Sequence, residues 1–134
     1  MNFISVRIIT ADIRRLVAFY EHALGVQASW LNEEFAELQA AGATLAIGST
    51  RTLGFFSTGD LAQPAANRSV FLEFMVEDVD RHFEQLRPEA TALVQAPTTM
   101  PWGNRSLLIR DPDGNLVNFF SPVTEMARKR FGLQ

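Results

Sequence analysis

The sequence predicts an α+β fold built from two paired βαβββ modules. Three observations predict it. A pattern of strand, helix cap and amphipathic helix occurs twice; the two copies are offset by 66 residues; and turn signals divide the segment after each helix into about three strands.

The first copy opens with FISVRII, rich in β-branched residues and therefore strand-like. Asp12 stands at an N-cap position, because its carboxylate can accept from the free N–H groups of a first helical turn. Ile13, Leu16, Val17, Tyr20 and Leu24 then share one helical face, and Gly25 marks the end. The second copy repeats the order. VFLEFMV reads as a strand, Asp78 as the cap, Val79, Phe83 and Leu86 as the apolar stripe, and Pro88 as the stop. The 66-residue shift also carries Ile8 onto Phe74, Ile13 onto Val79 and Arg15 onto Arg81. Helices are expected at about 12–24 and 78–87.

QASWL, FAELQA, ATLAIGS and a short LGFFS read as strands of the first half, and ALVQA, RSLLIR and LVNFFS as those of the second. Asp111-Pro112-Asp113-Gly114 is a strong turn between the last two, and Gly42 holds the matching place in the first half. The expected division is one domain over 1–134, with module one at 1–60, a small and polar linker at 57–68, module two at 66–122 and a tail at 123–134. The tail, TEMARKRFGL, can form a short basic helix, expected to be a solvated end or a dimer contact.

Composition bounds the function. At 134 residues, 47% hydrophobic and 20% charged, the chain is globular in character. No apolar run reaches the roughly 18 residues that span a bilayer, and the N-terminus lacks the pattern of a signal peptide, so a cytoplasmic protein without membrane contact is expected. The absence of cysteine excludes disulfides, thiolate metal sites and thiol nucleophiles. A net charge of −3 without a basic stripe argues against nucleic acid as a partner. No GxSxG, P-loop or dinucleotide fingerprint occurs, which argues against serine hydrolases and nucleotide enzymes.

FYEHALG after the first strand and LLIRDPDGNLVNFFSP near the end resemble the vicinal oxygen chelate superfamily, which includes glyoxalase I, the bleomycin-resistance proteins and the extradiol dioxygenases. The resemblance extends over nearly the whole chain, and DPDGN with its flanking strands is its most specific part. It implies paired βαβββ modules forming a cleft, a homodimer, and chemistry or ligand binding in that cleft. It also maps the metal-ligand positions of the superfamily's metalloenzymes onto Ser5, Ala46, Phe71 and Asn118. Divalent transition metals want imidazole or carboxylate, and none of these four supplies either. Neither metal nor other cofactor is therefore expected. His22 and His82 lie on the helices, His82 on the packed stripe and His22 off it; Glu33, Glu34 and Glu37 read as a solvated loop.

Alternation along the first strand of each module puts Ser5, Arg7 and Ile9 on the cleft side, with Phe71, Glu73 and Met75 as their repeat equivalents. A charge on an otherwise apolar strand is uncommon unless paired or functional. Arg7 and Glu73 are expected to pair within about 4 Å, inside one chain or across a swapped dimer. Trp30, Phe55, Phe56 and Trp102 fall outside the helical stripes and are candidate cleft walls, with Arg105 and Asn118 adding hydrogen bonds. The favoured reading is a metal-free small-molecule-binding protein of the bleomycin-resistance type, sequestering a drug or carrying a metabolite. The alternative is a metal-independent enzyme, lyase- or isomerase-like, with Glu73 as general base and Arg7 stabilising an anion.

Overall fold

The computed structural model describes residues 1–56 and 60–134. The chain forms two compact units, Met1–Asn67 and Arg68–Gln134. The first three residues of the expected 57–68 linker lie outside the described residues.

The first unit runs β1 (Ser5–Thr10), α1 (Ile13–Leu24), β2 (Ser29–Asn32), β3 (Phe35–Ala40) and β4 (Ala43–Ser49), followed by a 3-10 helix at Thr50–Phe55. Its sheet has the order β1-β4-β3-β2. β1 lies parallel to β4, while β4–β3 and β3–β2 are antiparallel. The Asp12 side chain accepts from the Arg15 N–H, and the Gly25 N–H closes the helix on the Glu21 carbonyl. The apolar stripe Ile13, Leu16, Val17, Tyr20 and Ala23 is buried, as are Ala36, Leu38, Leu45 and Ile47 on the strands that α1 covers. Each buried leucine- or valine-sized side chain contributes about 1.5–3 kcal/mol.

The second unit repeats the plan with β5 (Phe71–Met75), α2 (Val79–Leu86), β6 (Leu93–Thr99), β7 (Asn104–Arg110) and β8 (Leu116–Pro122), and adds α3 (Glu125–Arg130). Its sheet order is β5-β8-β7-β6, with β5 parallel to β8. The Asp78 side chain accepts from the Arg81 N–H; the Val79 N–H donates to Ser121 Oγ at 2.8 Å, and that hydroxyl donates to the Val76 carbonyl at 2.9 Å. The start of α2 is thereby tied to β8. Leu107, Ile109, Val117 and Phe119 are fully buried on the side that α2 covers. His82 is half-buried, with its ring centroid 4.4 Å from that of Phe119, in keeping with a packed helix residue.

The DPDGN segment is a turn held from inside. Buried Asp111 accepts from the N–H groups of Asp113 and Asn115 with one oxygen and from the Asn115 amide with the other, each at 2.9 Å. Gly114 takes φ +84°, a conformation that side-chain-bearing residues rarely adopt.

One expected strand is not found among the described residues. Residues 53–55 of LGFFS lie in the 3-10 helix and Phe56 just after it, while Ser57 falls outside the described residues. Ser49 Oγ accepts from the Arg51 N–H and Thr52 Oγ1 donates to the Ser49 carbonyl at 2.7 Å, curling the backbone where a strand needs it extended. Glu37 departs from the expected loop, because it sits within β3.

Candidate functional site

In each unit, strand alternation separates a helix-covered face from an opposite one. On the first sheet, register aligns Arg7 with Ala46 and Ala46 with Glu37, so these three form one cross-strand row on the side away from α1. Ser5 and Ile9 share the Arg7 face. The Arg7 guanidinium carbon stands 4.8 Å above the Phe35 ring centroid. Gly48, opposite Phe35 in the register, leaves room for that ring.

On the second sheet, Phe71, Glu73 and Met75 lie on the side away from α2, and all three are exposed. Glu73 is in register with Asn118 on β8, and Asn118 Nδ2 donates to Glu73 Oε2 at 2.8 Å. The Asn118 side-chain oxygen, Oδ1, is buried and lacks a hydrogen-bond partner among the described residues.

The structure thus brings Ser5 and Arg7 onto one face of the first sheet, and Phe71, Glu73 and Asn118 onto one face of the second. Two other candidates, Arg105 and Trp30, lie on the helix-covered side of their own sheets. Arg105 is in register with Ser121, so it lies on the opposite side of its sheet from Asn118. There it grips Asp80, with Nε at 2.7 Å and Nη2 at 3.0 Å, and reaches Thr99 Oγ1 at 3.4 Å. Trp30 pairs with Ala36, on the α1 side, and so stands away from Arg7. Phe55 closes the 3-10 helix and Phe56 follows it; Trp102 lies in the β6–β7 turn, and all three are exposed. Glu37, set aside with Glu33 and Glu34 as a solvated loop, stands in the Arg7 row, on the face of β3 that the alternation of FAELQA gives to Phe35 and not to Leu38.

Each unit also has a concavity at the start of its helix. One of about 310 Å³ is lined by Asp12, Glu34, Ser49 and Arg51, among others. One of about 810 Å³ is lined by Asp78, Asp80, Arg105, Ser121 and Arg128, among others. Hydrogen bonds from Ser49 and then Arg51, which stands 2.7 Å from its carboxylate, hold Glu34 below the ordinary 4.5. The hydrogen bonds from Arg105 hold Asp80 below the ordinary 3.8, and the same bonds raise the Arg105 guanidinium above its ordinary value. A carboxyl depressed in the folded state adds stability above its unfolded pKa and loses it as the pH falls through its folded one. Arg105→Gln is therefore expected to lower stability at neutral pH, and the gap from wild type is expected to close as acid protonates Asp80 below 3.8. Urea unfolding at a series of pH values reads this out, and a gap that persists in strong acid would refute the pairing.

The family profile of the Glyoxalase/Bleomycin resistance protein/Dioxygenase superfamily matches residues 2–119. The chain belongs to this superfamily. A curated relative, the uncharacterized protein YraH of Bacillus subtilis (strain 168), is 26% identical over 125 residues, covering 90% of this chain and 98% of its own. A glyoxalase/bleomycin resistance protein/dioxygenase family enzyme from Burkholderia phytofirmans PsJN superposes with a TM-score of 0.77 at 18% identity, over 89% of this chain and 97% of its own. A protein of unknown function from Agrobacterium tumefaciens str. C58 gives 0.75 at 28% identity, over 90% and 94%. The first of these structural likenesses speaks for the fold alone.

The metal-ligand positions implied for the superfamily do not fit a transition metal here. Ala46 and Phe71 carry no donor atom. Ser5 offers a neutral hydroxyl, and the Asn118 amide is turned with its NH2 toward Glu73. Among the described residues no group of three or more His, Cys, Asp or Glu is placed to hold an ion. No helix among the described residues is long and apolar enough to cross a membrane.

Proposed function

We propose that this superfamily member binds a small organic molecule on the sheet faces turned away from its helices, without a metal ion, and sequesters or carries it in the manner of the bleomycin-resistance proteins. The observation that carries the reading is the substitution pattern itself. Where a metalloenzyme needs donors, this chain has a methyl group and a phenyl ring, Ala46 and Phe71, with one charged side chain beside each. Arg7 and Glu73 are the polar anchors; Ser5, Phe71 and Asn118 complete the surfaces. A flat apolar ligand with one polar or charged group suits them. We further propose that the protein acts as a cytoplasmic homodimer, a reading supported by exposed Phe3, Ile4 and Leu31 near β1 and on β2; sedimentation velocity at micromolar concentration tests the dimer.

The Glu73–Asn118 hydrogen bond supports a second reading, in which an oriented Glu73 carboxylate serves as general base and Arg7 stabilises an anion.

A thermal-shift screen against glycopeptide, peptide and quinone antibiotics and common metabolites tests the proposal. A ligand at a hundred times its Kd adds about 2.7 kcal/mol to the native state. The expected hit raises the melting temperature of wild type, and its shift falls in Arg7→Ala and Phe71→Ala. A hit indifferent to both changes would remove the site from these faces. If Glu73→Gln abolishes turnover of the hit while preserving binding, the enzyme reading replaces the carrier one.

A further inference from the structure

We propose that Glu73 is the anchor for a cationic ligand group, so that the molecule bound at this face is an organic cation on a flat apolar body, of the amidinium or primary ammonium class. The inference rests on the small-molecule reading above and specifies the charge of its ligand.

Three observations in the second unit carry it. First, Glu73 stands between two apolar neighbours on one strand face, since Phe71 and Met75 flank it at two residues on either side and are 50% and 48% exposed. An aromatic face and a thioether beside a carboxylate are complementary to a cation with an apolar body. Second, three arginines of this unit are engaged away from Glu73. Arg105 holds Asp80, Arg128 holds the Gln134 carbonyl, and Arg110, which shares the Glu73 face, donates to the Gly114 carbonyl at 2.7 Å. Third, the unmet hydrogen-bonding capacity at this spot is mostly for acceptance. Glu73 as an anion only accepts, and one of its oxygens takes the Asn118 amide N–H. The Asn118 side-chain oxygen is buried, so the acceptor open to a ligand is the exposed Glu73 carboxylate itself. A ligand that completes its hydrogen bonds must bring donors. The two parallel N–H bonds of an amidinium match a carboxylate better than a single hydroxyl does. An anionic ligand meets repulsion at the same place.

The test uses three probes of one shape and different charge: benzamidinium, benzyl alcohol and benzoate. Each is titrated into 15N-labelled full-length protein and followed by amide shifts of residues 71–75 and the Asn118 side chain. Benzamidinium is expected to move these signals saturably, with benzoate inert and benzyl alcohol weaker. Glu73→Gln keeps the shape and removes the charge. It is expected to weaken benzamidinium about tenfold or more while its own spectrum stays native. Glu73→Asp is expected to keep the preference for the cation. Equal binding of benzamidinium by wild type and Glu73→Gln overturns the proposal. Binding of benzoate or benzyl alcohol in preference overturns the choice of a cation and leaves the small-molecule site standing. Silence from all three probes overturns the cation anchor, while the antibiotic and metabolite screen decides the site independently.

Discussion

Phe119→Ala is expected to destabilise the protein by about 3–5 kcal/mol, a large share of the 5–15 kcal/mol that holds a typical domain together. Phe119 is fully buried on the α2 side of β8. Its ring stacks with that of Phe74 at 5.6 Å between centroids and meets His82 at 4.4 Å. It pairs with Phe74 on β5 and with Leu107 on β7, so it sits in a cross-strand row bound on both sides. Truncation removes the apolar surface and leaves a void that three strands and a helix cannot close together. The control is Phe71→Ala, a change of the same chemistry on the opposite face of the same sheet. Phe71 is half-exposed, and its loss is expected to cost less than about 1 kcal/mol. Urea unfolding of both variants, with unchanged m-values, measures the difference. Equal costs would mean that the two phenylalanines do not stand on different faces.

That contrast also explains how much is legible in the sequence. Helix starts are legible because an aspartate that accepts from a first-turn N–H acts within three residues, at Asp12 and again at Asp78. The faces of β1 and β5 are legible because alternation is a property of the strand alone. LGFFS misleads because its apolar content outweighs turn chemistry: Ser49 and Thr52 make the side-chain bonds that curl the backbone, and neither belongs to the apolar run. Arg105 and Trp30 fall on a different face from the one expected for another reason. The face of Arg105 follows from the uninterrupted pairing of β7 with β8, which sets it beside Ser121 and not Asn118. Trp30 pairs with Ala36 next to an irregularity between Trp30 and Asn32, and neither pairing is written in the strand's own residues. The Glu73–Asn118 bond spans 45 residues of sequence, and the cation–π contact of Arg7 joins β1 to β3. Strand patterns place such residues on a face; only pairing selects their partners.

Gly103→Ala is expected to cost about 3 kcal/mol or more, from a position that no apolar pattern marks. Gly103 is buried in the turn between β6 and β7, at φ +94°, where its N–H donates to the Met100 carbonyl at 2.9 Å and its own carbonyl accepts from Val123 at 2.9 Å and Thr124 at 3.3 Å. An added Cβ would overlap the Thr124 hydroxyl and come within 2.9 Å of Ala127 Cβ. The backbone conformation alone costs an alanine about 1–2 kcal/mol. The overlap adds a second penalty, because Thr124 cannot yield freely: its hydroxyl caps α3 by accepting from the Ala127 N–H at 3.2 Å, and a lost cap costs about 1 kcal/mol. Ala127 is buried, so displacing it disturbs the seat of α3 and, with it, the packing of Phe131 on Phe120 at 5.4 Å. Gly132→Ala separates the two contributions. Gly132 has φ +70° but nothing within 4 Å of an added Cβ, so it carries the strain without the clash. Denaturation followed by circular dichroism is expected to place Gly103→Ala well below Gly132→Ala, with the fluorescence of neighbouring Trp102 already altered in the native state. Equal stabilities would mean that α3 does not press on this turn.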